Sequence, residues 1–147
     1  MTHDDTDHIG GGLAILEHLD VREIVIAEKL KQEFLETALI QEAIERKIPI
    51  TLVRAGDGWS NGNDTFLFLH PDDEDMGNSN ENSLVMLMEL NNLTWLLTGD
   101  LGIESEKRLL QKYPKLKVDV LKAGHHGSRH SSSSVFLDAI QPIVAII

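Results

Sequence analysis

The stretch THDDTDHIGGG, residues 2–12, places two histidines and three aspartates directly before three glycines. Histidine nitrogens and carboxylate oxygens are the side-chain atoms that hold a divalent metal in a protein without thiolates. Glycine lets the backbone turn tightly beside such a crowded set of side chains. The stretch therefore predicts a metal site, provided that residues of the same kind recur downstream where a fold can bring them together.

The composition indicates a single globular unit. The chain has 147 residues, 41% of them hydrophobic, which suits one domain with its own core. It has no cysteine, so any metal must be held by histidine and carboxylate. The formal charge of -11 opposes non-specific nucleic-acid binding, because that affinity normally comes from lysine and arginine. No apolar run approaches the roughly 20 residues that cross a bilayer, so we expect no membrane segment in this chain.

Short apolar runs alternate with amphipathic patterns, which is typical of a layered α/β fold. The predicted strands are 23–27, 48–54, 65–69, 84–90, 93–98, 118–122 and 142–147. The predicted helices are 11–19, 28–47, 104–113 and, with serine capping, 133–140. Asn91 and Asn92 between two of the strands predict a hairpin turn.

The candidate metal ligands lie where predicted strands end or helices begin. Beyond the opening stretch, Asp100 follows the strand 93–98, and His125 and His126 follow the strand 118–122. In layered α/β folds, loops that leave the strands at one edge of a sheet collect ligands. We therefore expect three separate segments to converge on one site.

These motifs resemble a known family. His3-x-Asp5-x-Asp7-His8 followed by IGGG resembles the HxHxDH signature of the metallo-β-lactamase superfamily, in the HxDxDH form of one branch. The later segments LLTGDL, DVLKAGHHGS and FLDAIQPIVAII are similar to the hydrolase-type domain of the ComEC family of DNA-internalisation proteins. The resemblance implies an α/β fold, a metallo-β-lactamase-like four-layered αββα sandwich. It also implies that residues 1–147 form one partial domain, truncated at both ends and lacking its first strands.

The resemblance assigns roles to individual residues. It implies that His3 and Asp5 bind one metal ion, that Asp7 and His8 bind a second, and that Asp100 bridges the two. His126 resembles the last histidine ligand and His125 would face the substrate, although which of the two binds the metal stays open. Asp7 would also act in catalysis by orienting water.

The residues expected to contact substrate beside His125 are Asn80, Ser83 and Ser128. The superfamily's middle histidine is absent, and the segment Ser79–Ser83 stands in its place. Because oxygen ligands make a site harder, the expected cofactors are two divalent metal ions, either zinc or manganese.

The implied function is a metal-dependent hydrolase, a dinuclear phosphodiesterase or nuclease of DNA uptake in natural competence. Its expected partner is single-stranded DNA or another phosphodiester. If the chain is a fragment, we also expect the membrane channel portion of a ComEC-like protein as a partner and an extracytoplasmic location. The alternatives are a non-catalytic binding or scaffold module of a DNA-uptake assembly, and a hydrolase of lactones or small phosphoesters with the same metal centre.

Several conspicuous residues have simpler interpretations. We expect His18 and His70 to be surface or packing residues, and His130 and the acidic run 72–75 to be solvated. The apolar stripe of the helix 28–47 is ordinary core, and Trp59 and Trp95 are too scattered to stack bases. Asp100 also has an alternative role, since it stands where it could cap the helix 104–113.

Overall fold

The computed structural model describes residues 1–72 and 77–147. Six α-helices are present in this part of the chain: α1 (Thr6–Ile9), α2 (Gly12–His18), α3 (Lys31–Leu35), α4 (Ala38–Glu45), α5 (Ile103–Lys112) and α6 (Ser134–Ile140). Eight strands accompany them: β1 (Ile24–Ala27), β2 (Ile50–Val53), β3 (Gly58–Asn61), β4 (Asp64–His70), β5 (Val85–Leu90), β6 (Leu93–Leu97), β7 (Val120–Lys122) and β8 (Val144–Ile146). Two 3₁₀ turns, Glu28–Leu30 and Gly124–Gly127, complete the set. No helix in these ranges is long and apolar enough to cross a membrane.

The strands form two sheets. β1 and β2 pair in parallel, with Ile24 opposite Ile50. The second sheet has the order β3-β4-β5-β6-β7-β8. Its first four strands are an antiparallel meander, whereas β6, β7 and β8 run parallel, so their carboxyl ends lie at one edge. That edge is where a site built from loops after β6 and β7 must lie.

The fold has four layers, and one apolar core lies on each face of the larger sheet. One core packs α2, α3 and α4 and the β1-β2 sheet against one face of the larger sheet, with Phe34, Ile40 and Phe68 at its centre. The other core packs α5 and α6 against the opposite face through Leu96 and Phe136. Alternation along β4 makes this possible, because neighbouring side chains of a strand point to opposite faces. The order of layers is helix, sheet, sheet, helix, which confirms the α/β metallo-β-lactamase-like fold class.

The predicted helix 28–47 is wrong in one respect. The structure divides it into a 3₁₀ turn, α3 and α4, and breaks it at Glu36 and Thr37. Thr37 has extended backbone geometry, and its hydroxyl accepts the Ile40 N–H at 3.3 Å as an N-cap. Threonine favours such a cap because its side chain competes for backbone hydrogen bonds, and the apolar periodicity alone does not reveal this break.

The sequence does not predict strand β3, because its residues, GWSN, have the polar and glycine composition of a turn. It forms through pairing with β4, and the Trp59 ring stacks on that of Phe66 at 4.7 Å. The hairpin at Asn91 and Asn92 is confirmed, since both residues have positive φ. Serine capping of the last helix is also confirmed, because the Ser133 hydroxyl accepts the Phe136 N–H at 3.3 Å.

Candidate metal centre

Three turns bring the candidate ligands together. β6 and β7 are parallel neighbours, with Leu97 opposite Lys122, so the turn after β6 and the turn after β7 lie side by side. Asp100 stands in the first turn and is 3% exposed. Gly99 before it has a φ of +55°, and a Cβ there would lie 2.9 Å from the Ser83 Cβ, so this turn needs glycine. The N-terminal segment reaches the same place because the Leu84 N–H donates to the Thr2 carbonyl at 3.0 Å.

Asp7, His8, Asp100 and His126 form the metal cluster, defined by one ligating atom from each residue within 4.8 Å of the others. The Nε2 atoms of His8 and His126 are 3.1 Å apart. The same His126 atom lies 3.1 Å from Asp7 Oδ2, and the same His8 atom lies 3.1 Å from Asp100 Oδ1. The structure therefore brings together four of the six predicted metal ligands.

The donor set of the metal cluster fits a divalent cation. The distance between donor atoms is 3.1 Å for His8 Nε2 and His126 Nε2, 3.6 Å for His126 Nε2 and Asp100 Oδ2, and 3.8 Å for His8 Nε2 and Asp7 Oδ2. A tetrahedral ion with bonds of about 2.0 Å has donor edges of about 3.3 Å, which falls in this range. Asp100 Oδ1 is buried and has no hydrogen-bond partner in residues 1–72 and 77–147. Its neighbours are His8 Nε2 at 3.1 Å and the Lys122 ammonium at 3.8 Å. A buried carboxylate oxygen that makes no hydrogen bond and lies beside an imidazole nitrogen suits a bound cation.

His3 and Asp5 lie beside the metal cluster rather than in it. The His3 ring is fully buried and its centroid is 4.1 Å from that of His8. Its Nε2 atom is 3.5 Å from Asp5 Oδ2 and has no hydrogen-bond partner within the described ranges. Within those ranges the metal cluster is the one group of three or more such ligands, so the second metal ion stays a prediction.

Two pKa shifts suit metal binding. Burial, and then the charge of His8, lower the pKa of His3 below its usual value, which favours the neutral imidazole that a metal requires. A hydrogen bond from its own backbone N–H is the largest cause that lowers the pKa of Asp7, and His8 and His126 lower it further. Asp7 is exposed and therefore stays ionised at neutral pH.

The geometry distinguishes the two adjacent histidines. His126 is in the metal cluster, where its Nε2 atom lies 3.1 Å from both His8 Nε2 and Asp7 Oδ2, whereas His125 Nε2 lies 3.8 Å from Asp100 Oδ2. Both residues have left-handed backbone, with φ of 47° and 52°. Non-glycine residues adopt this conformation at a cost, so the turn Gly124–Gly127 is held in an uncommon conformation, which places the His126 imidazole in the metal cluster.

The residues predicted to contact substrate have different environments. His125 is partly exposed beside the metal cluster. The Ser128 hydroxyl accepts the His130 N–H at 3.3 Å, and the Asn80 carbonyl accepts the Ser83 N–H at 3.0 Å. Ser83 is fully buried, and its hydroxyl lies 3.2 Å from His3 Nδ1 and accepts the Asp100 N–H at 3.1 Å. This geometry favours a role for Ser83 behind the ligands rather than in contact with substrate.

Two residues at the site were not singled out in the sequence. The Thr2 hydroxyl lies 3.1 Å from His3 Nδ1 and 3.2 Å from His8 Nδ1. The Lys122 ammonium donates to the Gly99 carbonyl at 3.1 Å and lies 3.8 Å from Asp100 Oδ1. Thr2 stands next to His3, and its position in the motif is the signal that could have found it. The Lys122 contacts depend on the pairing of β6 with β7, so residue spacing does not predict them.

The simpler interpretations have mixed outcomes. His70 is a packing residue, because it is buried and donates from Nε2 to the Glu81 carbonyl at 2.8 Å. The capping interpretation of Asp100 is wrong: α5 has Gly102 at its N-cap, and Glu81 Oε2 accepts the Ser105 N–H at 3.1 Å. Within the acidic run, Asp72 pairs with Arg108 at 3.2 Å, and residues 73–75 lie outside the described residues.

The fold and the metal cluster define an α/β protein with a candidate metal centre of histidine and aspartate side chains at one sheet edge. The family model described as "Metallo-beta-lactamase superfamily" matches residues 1–147, and the chain belongs to that superfamily. The structure is also similar to Zn²⁺-bound PqqB from Methylobacterium extorquens, with a TM-score of 0.55, 10% identity, and coverage of 82% of this chain and 42% of that one. At this identity the similarity shows the fold alone.

Curated relatives confirm the resemblance to ComEC-family competence proteins. ComE operon protein 3 of Bacillus subtilis (strain 168) is 38% identical over 147 residues, which is all of this chain and 19% of that protein. Recombination protein 2 of Haemophilus influenzae is 31% identical over the same length, 17% of that protein. Competence protein ComA of Neisseria gonorrhoeae is 40% identical over 82 residues, 55% of this chain and 12% of that protein. The chain thus spans less than a fifth of the length of these relatives.

Proposed function

We propose that the chain is a metal-dependent phosphodiesterase that acts on single-stranded DNA during DNA uptake, and that residues 1–147 form one domain. The observation that carries the proposal is the convergence of Asp7, His8, Asp100 and His126 within 4.8 Å. These residues come from three segments far apart in the chain. The competence relatives supply the context of DNA uptake.

The residues of the metal cluster would hold the first ion, and His3 with Asp5 would contribute to a second. Two imidazoles and two carboxylates suit zinc or manganese. A divalent ion bound there supplies Lewis-acid chemistry, which polarises a phosphoryl oxygen and makes water a stronger acid. Asp7 is exposed and ionised, so its carboxylate can accept the proton of an attacking water. Asp100 is buried and held through its backbone N–H, which fixes its carboxylate between His8 and His126.

The cationic side chains near the centre suit an anionic substrate. Lys122 lies beside Asp100 and is partly exposed, and the partly exposed His125 imidazole can donate a hydrogen bond to a phosphoryl oxygen. Arg129 follows within the same turn region and is exposed. In a chain with a net charge of -11, cations gathered at this edge would attract a phosphodiester that the rest of the surface repels.

The test combines metal analysis with two assays. Purified protein loaded with Zn²⁺ or Mn²⁺ is assayed on bis(p-nitrophenyl) phosphate and on end-labelled single-stranded DNA. Asp7→Asn should lower turnover by about 10²–10⁴-fold, the usual contribution of a general base. Asp119→Asn is the matched control, because Asp119 precedes β7 at the opposite edge, where its carboxylate accepts the Thr94 N–H at 2.7 Å. Metal-loaded protein that cleaves neither substrate would refute the proposal.

A non-catalytic module is the second candidate. The net charge of -11 opposes DNA binding, and the chain spans 19% of ComE operon protein 3, so it could dock on a membrane channel portion of a larger extracytoplasmic assembly. This candidate predicts metal uptake without turnover in either assay.

A small-molecule hydrolase is the third candidate. An apolar cavity of about 290 Å³ adjoins His8 and is lined by Ile9, Ile15, Leu16 and Leu39. Such a cavity suits the apolar group of a lactone or a small phosphoester. Faster hydrolysis of an acyl lactone than of bis(p-nitrophenyl) phosphate would favour this candidate.

A further inference from the structure

Two hydroxyl groups lie behind the candidate ligands, on the side away from the metal cluster. We call Thr2 and Ser83 the hydroxyl pair. The Thr2 oxygen is 3.1 Å from His3 Nδ1 and 3.2 Å from His8 Nδ1. The Ser83 oxygen is 3.2 Å from His3 Nδ1 and accepts the Asp100 N–H at 3.1 Å. The pair therefore links three candidate ligands, His3, His8 and Asp100, which belong to two separate segments.

The partners of the His3 ring determine where its proton lies. Nδ1 has two hydroxyl oxygens at 3.1 Å and 3.2 Å, whereas Nε2 makes no hydrogen bond in the part of the chain that the structure describes, and its contact with Asp5 Oδ2 is longer, at 3.5 Å. A neutral imidazole carries its proton on one nitrogen and a lone pair on the other. Buried N–H groups without an acceptor are rare, because each costs about 1–3 kcal/mol. The tautomer with its proton on Nδ1 satisfies these hydroxyl contacts, and its Nε2 lone pair then faces the Asp5 side of the site.

The oxygen atoms of the pair can accept all of these hydrogen bonds. A hydroxyl oxygen has two acceptor positions. With both rings protonated on Nδ1, Thr2 accepts from the Nδ1–H groups of His3 and His8, and Ser83 accepts from His3 Nδ1–H in addition to the Asp100 N–H. With Nδ1 of His8 occupied in this way, the His8 Nε2 lone pair points into the metal cluster, 3.1 Å from His126 Nε2.

We propose that Thr2 and Ser83 are positioning residues that set the tautomers of His3 and His8 and tie both rings to the Asp100 turn. The proposal rests on the proposed metal centre. Metal-binding histidines usually donate their second ring nitrogen to an acceptor, and loss of that acceptor usually lowers metal affinity 10–100-fold. Here the Thr2 and Ser83 hydroxyls provide the acceptors for His3 and His8, and Ser83 also accepts the Asp100 N–H.

The packing leaves these hydroxyls little freedom. Ser83 is fully buried, and a Cβ on Gly99 would lie 2.9 Å from the Ser83 Cβ and 3.0 Å from that of Thr2. The Thr2 backbone is fixed separately, since its carbonyl accepts the Leu84 N–H at 3.0 Å. Removal of the Thr2 hydroxyl should therefore leave the chain path intact, which makes Thr2 the cleaner position to test.

The first measurement is the tautomer of His3 and His8 in metal-free protein, from long-range ¹H–¹⁵N spectra above pH 7. We expect His3 to carry its proton on Nδ1. The double variant Thr2→Val with Ser83→Ala should give His3 a mixture of tautomers, and Thr2→Ser, which keeps the hydroxyl, should restore the wild-type spectrum when Ser83 is intact. A proton on His3 Nε2 in the wild type would overturn the proposal.

The second measurement is affinity for Zn²⁺ and Mn²⁺ by competition with a chromophoric chelator. The double variant should bind about 10–100-fold more weakly. Ser105→Ala is the matched control: it also removes a fully buried hydroxyl, one that donates to the Glu81 carbonyl at 2.9 Å, and it should leave affinity unchanged. If the double variant does not fold, Thr2→Val alone is measured, and its His8 spectrum must change.

These outcomes separate the two proposals. A double variant that keeps both the wild-type tautomer and the wild-type affinity overturns the role of the hydroxyl pair and leaves the metal centre standing. Wild-type protein that takes up neither ion overturns the proposed function. The tautomer spectra then still decide whether the hydroxyls orient the two rings.

Discussion

His3 and His70 are two buried histidines in different regions, one in the N-terminal motif and one at the end of β4. Burial lowers the pKa of both below its usual value. They differ in what their Nε2 atoms meet. His70 donates to the Glu81 carbonyl at 2.8 Å, whereas His3 Nε2 has no hydrogen-bond partner in residues 1–72 and 77–147 and faces Asp5. Burial alone therefore does not distinguish a candidate ligand from a packing residue, whereas a buried nitrogen that makes no hydrogen bond beside other metal-binding groups supports the proposal that His3 binds a metal ion.

The largest expected effect concerns the carboxylate of Asp100, which belongs to the metal cluster. It contacts His8 and His126, so its loss removes negative charge and a ligand from the centre of the metal cluster. We expect Asp100→Ala to abolish metal uptake and hydrolysis while the protein stays folded. Metal analysis of the folded variant measures this.

Asp119→Ala is the control, since it removes a carboxylate at the opposite edge of the sheet. Undiminished occupancy of two ions per chain in Asp100→Ala would show that the bridging role is wrong.

The motif segments could be predicted from the sequence because their residues are close together in the chain. His3 to His8, Asp100 and the His125–His126 pair each stand in a short, recognisable run, and the parallel pairing of β6 with β7 brings two of these runs to one edge. The resemblance to a known family favours His126 over His125 as the ligand. The left-handed turn Gly124–Gly127 places His126 in the metal cluster.

Features that depend on tertiary contacts could not be predicted in this way. β3 is a strand only because β4 pairs with it. The Thr37 break in the long amphipathic stretch depends on a local cap that competes with helix periodicity. Ser83 is an ordinary residue in sequence, and it reaches His3 only because the N-terminal segment crosses the start of β5. The hydrogen bond of His70 is also a tertiary contact, because its partner, the Glu81 carbonyl, lies 11 residues away in a loop.

The next effect compares the two histidines directly. His3→Ala and His70→Ala each remove one buried imidazole, so each should lower the free energy of unfolding by about 2–4 kcal/mol through the lost volume and hydrogen bonds. Only His3→Ala should also weaken metal binding. Urea unfolding of the metal-free variants, followed by metal titration, measures both quantities. Equal loss of metal affinity in the two variants would remove the distinction between the two regions.

The third effect is a pH dependence of stability. Both histidines have folded-state pKa values below the unfolded value of 6.5, so the unfolded chain binds more protons in that window. Their contribution to stability is complete above pH 6.5 and is lost as the pH falls toward the folded pKa values. Urea midpoints of metal-free protein should therefore fall from pH 7.5 to 5.5. His70→Ala should flatten part of this slope, whereas a slope equal to that of the wild type would contradict the prediction for His70.

The smallest effect concerns His130, an exposed histidine in the same turn region as His126. His126 is also exposed, but it faces Asp7, His8 and Asp100, whereas His130 Nε2 accepts from Arg129 Nε at 3.2 Å and lies outside the metal cluster. Exposed side chains without buried contacts usually change stability by no more than about 0.5 kcal/mol. We therefore expect His130→Ala to match the wild type in unfolding and in metal titration, while His126→Ala lowers metal affinity at least about 10-fold, the smallest loss usual even for residues behind the ligands. If His130→Ala weakens metal binding as much as His126→Ala does, then the convergence of atoms in this structure does not identify the ligands.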